Sequence, residues 1–412
     1  MAKQSVKNFS RSRLHPMSIK AVNSGHPWIT KDEYSKKFSR ETSFIVGQDG
    51  KGNDKMLLLN DPSHPHIKAR LWSTRAPFED DIKIFGDVVA SRLTNAFKKR
   101  DLAVLQKERQ NIYIAFGEAD FLPGLFILLL DKYIFIQNYC TFWDKKIKLL
   151  ARLVPAIFRE VYGDIPLGGI WMQSRDKNQN IRIREIHEKN LPREFNLKEF
   201  NINYSIRIGK KYDIGIYTDM ASIRFQTLQM IKKNMHVLNL YSYTGSFSLQ
   251  ALQVGAKEVV SVDISGPNNK WLEHNIKINP KLSDKNHQII ESPAEKVISK
   301  FVEDRKRFDF IICDPPSFSH SEGKVQKSIH EYRKLIPGLS KLLNRKGKLV
   351  LFLNTHKISR AKFEKEIMEI LKKPYLKKSL KIVQTLKMGQ DCPTLLNFPE
   401  GDYLKGVIIE KN

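Results

Sequence analysis

The sequence predicts an α/β protein. Its C-terminal half is a mostly parallel sheet with helices on both faces, preceded by a small β-rich unit and a mixed α+β central segment. Three observations carry this expectation. From about residue 196 onward, strand-like and helix-like stretches alternate. The first 75 residues hold short β-rich runs broken by Gly/Asn/Asp turns. The 412 residues are 41% hydrophobic, enough for real cores and too much for wholesale disorder.

In residues 1–75, ETSFIVGQDGKGNDKMLLLND (41–61) sets two β-rich runs around a turn cluster and reads as a hairpin, with IKARLWS (67–73) as a further strand. Residues 76–195 mix the two periods. FGDVVASRLTNAFKKRDLAVLQ (85–106) has apolar positions at helical spacing, and 111–139 reads as three strands separated by turns. Residues 143–164 return to helix, and GGIWMQSRD (168–176) closes the segment with a strand. In residues 196–412, strands are expected at 235–242, 258–265, 287–292, 308–314 and 347–355. Helices are expected at 245–255, 268–280, 295–304, 330–344 and 360–373. The polar stretch 319–328 follows a strand end, where this architecture builds its sites.

Charge narrows the partners. Lys and Arg number 70 against 44 Asp and Glu, a formal net charge of +26, which suits a polyphosphate whose condensed counterions are released on contact. Residues 1–31 carry six bases and no acid, and residues 341–390 carry 14 bases against Glu364, Glu366 and Glu369. Three scattered cysteines, Cys140, Cys313 and Cys392, exclude a disulfide framework and a CxxC zinc site and suit a reducing compartment. The histidines show no metal-ligand spacing, so no metal is expected. The longest apolar run, Phe121–Leu130, is broken by Pro123 and Gly124 and falls short of the ~20 residues that span a bilayer. The basic N-terminus lacks the apolar core of a signal peptide. A cytoplasmic protein with no membrane partner is expected.

VLNLYSYTGSFSLQAL (237–252) is the most informative stretch. A buried strand runs into a turn at Thr244 and Gly245 and then into a helix, whose free N–H groups suit a carboxylate or phosphate. Eighteen residues past Gly245, Asp263 ends the next strand, where a carboxylate can accept both hydroxyls of a ribose. The turn is not G-x-G-x-x-G, so a nucleoside with a small charged tail fits better than a dinucleotide, and S-adenosylmethionine has that form. Farther on, FDFIICD ends in Asp314-Pro315-Pro316-Ser317-Phe318. The prolines fix the chain direction and hold a carboxylate and an aromatic at the strand edge; Phe318 is placed to stack on a flipped base.

Seven motifs in order resemble one family: the class I S-adenosylmethionine-dependent ribosomal RNA large-subunit methyltransferases with an N-terminal PUA domain, of the cytosine-5 type. GHPWIT (25–30) resembles its HPW segment, GEADFLPGLF (117–126) its GEADGLPGL signature, and GIYTDM (215–220) its GFYLDQ motif. LNLYSYTGSFSL, SVDIS, DPPSF and FPEGDYLKG (398–406) follow. The resemblance implies a PUA-like RNA-binding domain at 1–75, a central domain at 76–195, and a Rossmann-like methyltransferase domain with a seven-stranded sheet at 196–412. It implies that Tyr217 and Asp219 line the cofactor pocket, that Asn239, Ser242, Thr244 and Gly245 meet the methionine end, and that Asp263 meets the ribose. Asp314 would lie beside the transferable methyl, and Glu291 offers the carboxylate nearest the adenine position. The implied partner is ribosomal RNA or a pre-ribosomal particle, and the family admits a homodimer.

One departure bears on the chemistry. Methylation of carbon 5 of cytosine needs a thiolate to add to the ring first. The family's Cys ends the strand after DPP; here that stretch is LVLFLNTHKIS, with Asn354 in the Cys position. Cys313 is expected to point away from the Asp314 side chain by strand alternation; Cys392 lies in a late segment that, by the resemblance, folds near the active site, and is the candidate substitute nucleophile. The cytosine-5 product is therefore in doubt, and Asp314 with Asn354 could orient an amine instead. The leading expectation is an RNA methyltransferase. The alternatives are a non-catalytic RNA-binding or ribosome-assembly factor with a vestigial methyltransferase domain, and a methyltransferase acting on protein or a small molecule.

Overall fold

Runs such as Phe44–Val46 and Met56–Leu59 are apolar at every position and buried throughout, the pattern of strands covered on both faces. The computed structural model describes residues 8–31, 38–163, 165–175, 180–209, 213–316, 325–377 and 379–412. The chain divides into two compact units. The first is Met1–Pro192 with Gly209–Tyr212 and Gln390–Phe398; the second is Arg193–Ile208, Asp213–Gly389 and Pro399–Asn412.

The first unit holds two five-stranded sheets. One runs Phe9–Arg13, Phe44–Gln48, Asp54–Asn60, Ala69–Ser73, Trp28–Ile29 across the sheet, and includes the expected hairpin. The other runs Ile181–His187, Gly169–Arg175, Tyr133–Asn138, Leu125–Leu130, Asn111–Phe116. Residues 1–75 and 76–195 share one hydrophobic core. Phe44, Val46, Leu57 and Leu59 pack with Ile112, Leu125, Ile127 and Trp143, and with helices Phe85–Lys98 and Ile147–Tyr162. The opposite face of the first sheet, Ile45, Met56 and Leu58, forms a smaller cluster with Val22 of helix Pro16–Asn23. That helix was not expected in a segment read as strands and turns. Pro16 in its first turn and the His15 ring accepting the Met17 N–H start it.

The second unit opens with an antiparallel hairpin, Glu194–Glu199 and Ile202–Arg207, and continues into a seven-stranded sheet. Its strands are β1 (His236–Leu240), β2 (Glu258–Asp263), β3 (His287–Glu291), β4 (Phe308–Cys313), β5 (Leu343–Asn354), β6 (Leu380–Leu386) and β7 (Leu404–Lys411). The order across the sheet is β3-β2-β1-β4-β5-β7-β6. β1 to β5 pair in parallel, and β7 is antiparallel to both β5 and β6. The sheet is thus mostly parallel, as expected, and its one reversed strand, β7, is an addition to that expectation. Helices Ser246–Val254, Gly266–Lys277, Ala294–Glu303, Val325–Leu342 and Arg360–Leu371 connect or cover the strands. Arg224 and Glu199, both buried, tie the hairpin to helix Ala221–Leu228 by a two-pronged pair at 2.6 and 2.7 Å.

Candidate active site

β1 lies at the centre of the sheet with β2 on one side and β4 on the other. In open α/β sheets, ligands bind beyond the carboxyl ends of such central strands. The chain leaving β1 makes a tight turn in which Tyr241, Tyr243 and Gly245 have φ of 59°, 50° and 83°. A Cβ at Gly245 would stand 2.1 Å from Leu272 Cδ1, so both dihedral and packing call for glycine. Gly245 also gives helix Ser246–Val254 no side-chain cap, leaving the first N–H groups of that helix for a ligand.

The turn is held by its neighbours. Asp263, half-buried at the end of β2, accepts the N–H of Tyr243 through one oxygen and that of Ser265 through the other, both at 2.8 Å. The oxygen that takes Ser265 also accepts from the Asn268 amide at 3.4 Å, and the other keeps a lone pair for a further donor. Thr244 is buried, and its hydroxyl donates to the Gly215 carbonyl at 2.6 Å. The Asn239 amide donates to Ser248 at 2.9 Å, and Ser248 continues through Ser261 to His287. Both side chains named in the sequence as cofactor contacts therefore spend donors inside the fold. Ser242 differs: its hydroxyl is buried and has no partner, as is the case for Thr218, the residue before Asp219, and a buried hydroxyl calls for one. The Tyr217 ring is 42% exposed and lies 5.3 Å from that of Tyr243.

Glu291 ends β3 in direct register with Asp263. It is exposed, and a Cβ at Gly266 would lie 2.8 Å from Glu291 Oε2. The carboxylate thus rests against the first residue of helix Gly266–Lys277, at the positive end of its dipole.

Asp314 follows β4. Burial, reinforced by the nearby Asp219 carboxylate, pushes its acid up to about 7. Asp219 is buried, and burial raises it too, against the Tyr403 hydroxyl that donates to it at 2.7 Å. Pro315 is buried and Pro316 exposed; Phe318 lies outside the described residues. Asn354 is the last residue of β5, exposed and paired in register with Leu404 of β7. Cys313 is fully buried in the sheet core, which holds its thiol well above the ordinary range. Cys392 is buried in the first unit, beside Asp391, which pairs with Arg109 at 2.8 Å. Among the described residues no group of three or more His, Cys, Asp or Glu could hold a metal.

The motif FPEGDYLKG carries no residue role legible in the sequence. Tyr403 meets Asp219, and Lys405 is buried with its ammonium donating to the Thr355 and Tyr403 carbonyls. Burial lowers that lysine to about 8. The signal was the motif itself. The Ser248–Ser261–His287 relay had none, because a Ser inside a strand or helix is unremarkable until its partners are known.

A family model for S-adenosylmethionine-dependent methyltransferases matches residues 185–394, just over half of the chain. Over its full length the chain resembles proteins named ribosomal RNA large subunit methyltransferase I. It is 26% identical to that of Vibrio cholerae over 94% of this chain and 96% of that one, and 25% identical to that of Alteromonas mediterranea over 96% and 98%. Two solved structures share the fold. One was assigned as a methyltransferase and complexed with SAH, with TM-score 0.82, 19% identity and coverage of 97% of this chain and 99% of that one. The other, from Streptococcus mutans, has TM-score 0.80, 18% identity and the same coverage. With the family model spanning β1 to β6, the Gly245 turn and the acids Asp219, Asp263, Glu291 and Asp314, the chain belongs to the S-adenosylmethionine-dependent methyltransferases.

Proposed function

We propose that this enzyme methylates a base of large-subunit ribosomal RNA and that the acceptor atom is a nitrogen rather than carbon 5 of cytosine. The name shared by its full-length relatives supports the RNA substrate, and so does the net charge of +26. In this reading residues 1–75 form a PUA-like RNA-binding domain.

The observation that carries the choice of atom is the end of β5, where Asn354 stands in place of a nucleophilic thiol. An amide cannot add to a pyrimidine ring, and the one thiol in the second unit, Cys313, is packed in the sheet core. A nitrogen lone pair needs no covalent activation.

The fit to S-adenosylmethionine rests on this chain's own features. The uncapped start of helix Ser246–Val254 and the unpartnered Ser242 hydroxyl suit the amino-acid end. Asp263, fixed by two backbone N–H groups, suits the ribose hydroxyls. Glu291, next to Asp263 in register, suits the base. Asn239 and Thr244 position the turn. When bound, the cofactor supplies a methyl group on a positively charged sulfur. Asp314, close to neutrality in its acidity, would orient the acceptor N–H and accept the proton that the nitrogen gives up. Tyr403 holds Asp219 beside it.

The test is methyl transfer from labelled S-adenosylmethionine to protein-free ribosomal RNA and to intact subunits from a strain lacking this protein, followed by nucleoside mass spectrometry. An N-methylated base is expected. Labelled 5-methylcytidine would overturn the choice of nitrogen. No label on any RNA, with cofactor bound normally, would favour a binding-only assembly factor.

A further inference from the structure

In the first unit, the turn after strand Asn111–Phe116 carries Phe121 at a φ of 58°. A bulky residue there is a backbone outlier, and glycine is the ordinary occupant. The family signature that this stretch resembles has glycine at that place. Here the ring is 59% exposed, so no packing offsets the unfavourable backbone.

The turn is not slack. Phe121 N–H donates to the Glu118 carbonyl at 3.1 Å and Leu122 N–H to that of Gly117 at 3.0 Å. The Phe121 carbonyl accepts from Arg92 at 2.6 Å, and Arg92 itself lies 3.6 Å over the Trp72 ring. The Pro123 carbonyl accepts the Trp143 indole at 2.8 Å, and the Gly124 carbonyl accepts the Tyr139 N–H at 2.7 Å. A frame this fully bonded presents an aromatic ring at a fixed place. A second ring, Tyr139, is 38% exposed beside the same turn. Lys99, 55% exposed, reaches the buried carboxylate of Asp120, the residue before Phe121, at 3.4 Å.

We infer that Phe121 is a stacking platform for an unpaired nucleobase of the RNA substrate, with Lys99 and Arg92 supplying the positive surroundings that a phosphate backbone seeks. This rests on the proposed RNA substrate. An exposed ring is sequence-tolerant in stacking because every base has a π-face. The positive charge of the chain favours RNA over an apolar protein partner.

The test uses the full-length protein and an unstructured single-stranded RNA oligonucleotide carrying one 2-aminopurine, read by anisotropy and by quenching of the 2-aminopurine. Phe121→Gly suits the left-handed backbone, so its thermal midpoint should equal or exceed the parent's. Its affinity for the oligonucleotide should fall about tenfold or more with loss of quenching, and Phe121→Tyr should restore both. Parent-like affinity and quenching in Phe121→Gly would overturn the stacking role and leave the proposed RNA methyltransferase standing. A lower midpoint with unchanged affinity would overturn it in favour of a packing role. A parent that binds neither the oligonucleotide nor ribosomal RNA would sink both readings, and the two outcomes are told apart by the parent alone.

Discussion

Gly245→Ala probes the turn on which the proposed cofactor site is built. The added Cβ would sit 2.1 Å from Leu272 Cδ1, 3.0 Å from Leu272 Cγ and 3.1 Å from Leu249 Cδ1, at a φ of 83°. The left-handed backbone costs a non-glycine residue roughly 1–2 kcal/mol. Forcing a methyl into a packed site costs a further ~1–3 kcal/mol, because Leu272 is fully buried and cannot swing into solvent. The sum, about 2–5 kcal/mol, is a large part of a typical domain's stability. It should appear as a lower urea midpoint and, since the first N–H groups of helix Ser246–Val254 follow directly, as weaker S-adenosylmethionine binding in calorimetry. The two contributions can be separated in a Leu272→Ala background, where the closest contact is gone. There Gly245→Ala should cost only about the backbone part, 1–2 kcal/mol. An unchanged midpoint in the single variant, or an equal loss in both backgrounds, would refute the account of why glycine stands here.

Asp314→Asn tests the buried acid. The parent's acid is raised to about 7, so between about 4 and 7 the native state holds a proton that the unfolded state releases. That contribution is complete below about 4 and fades as pH rises through 7, so the amide variant should gain on the parent in urea midpoint on going from about pH 5 to 8; parallel pH profiles would be evidence against it. Methyl transfer in the same variant should fall by about 100-fold or more, as expected for a lost proton acceptor, while calorimetric binding of S-adenosylmethionine persists. Asp263→Ala should weaken S-adenosylmethionine by at least about tenfold and loosen the Tyr243 turn, and parental affinity would remove the ribose assignment. Glu199→Gln should cost about 3–5 kcal/mol, because it leaves the buried Arg224 without its anion; a midpoint within error of the parent would contradict that. For Asn354→Cys, a gain of 5-methylcytidine by mass spectrometry would reveal a site lacking only its thiol.

The methyltransferase sheet was legible because local signals and global position agree. β1, β2, β3 and β4 are short apolar runs bounded by turns, and their observed bounds fall within the expected stretches. Asp263 and Glu291 end β2 and β3 side by side in register, as their places in the expected strands required. What escaped was whatever depends on a partner distant in sequence. Asn239 and Thr244 look like pocket residues in one dimension, yet their donors are bound by Ser248 and Gly215. The acidity of Asp314 depends on Asp219, 95 residues earlier, and Asp219 in turn on Tyr403, 184 residues later. The reversed strand β7 could not be read either, since an apolar run such as Val407–Ile409 is silent about its direction.

The motifs of the first unit show why resemblance and chemistry must be argued separately. Trp28 of GHPWIT donates to Glu118 of GEADFLPGLF at 2.7 Å, and Glu118 also accepts from buried Arg70 at 2.5 Å. Phe398 of the last motif packs edge-on against Trp28, with ring centres 4.6 Å apart. Three separate motifs are therefore one buried node, in which Glu118 is held by an indole and a guanidinium and Asp61 takes the other edge of Arg70 at 3.0 Å. Removing one member would strand a buried charge, which is reason enough for these residue types without any catalytic role. In the second unit the acids differ in kind. Among the described residues no fixed cation pairs with Asp263 or Glu291, and Asp314 is destabilised as an anion rather than neutralised. A carboxylate whose charge is balanced by its own fold is architecture. One left raised and partly accessible at a strand end has no such architectural reason, and that is what supports the proposed role of Asp314.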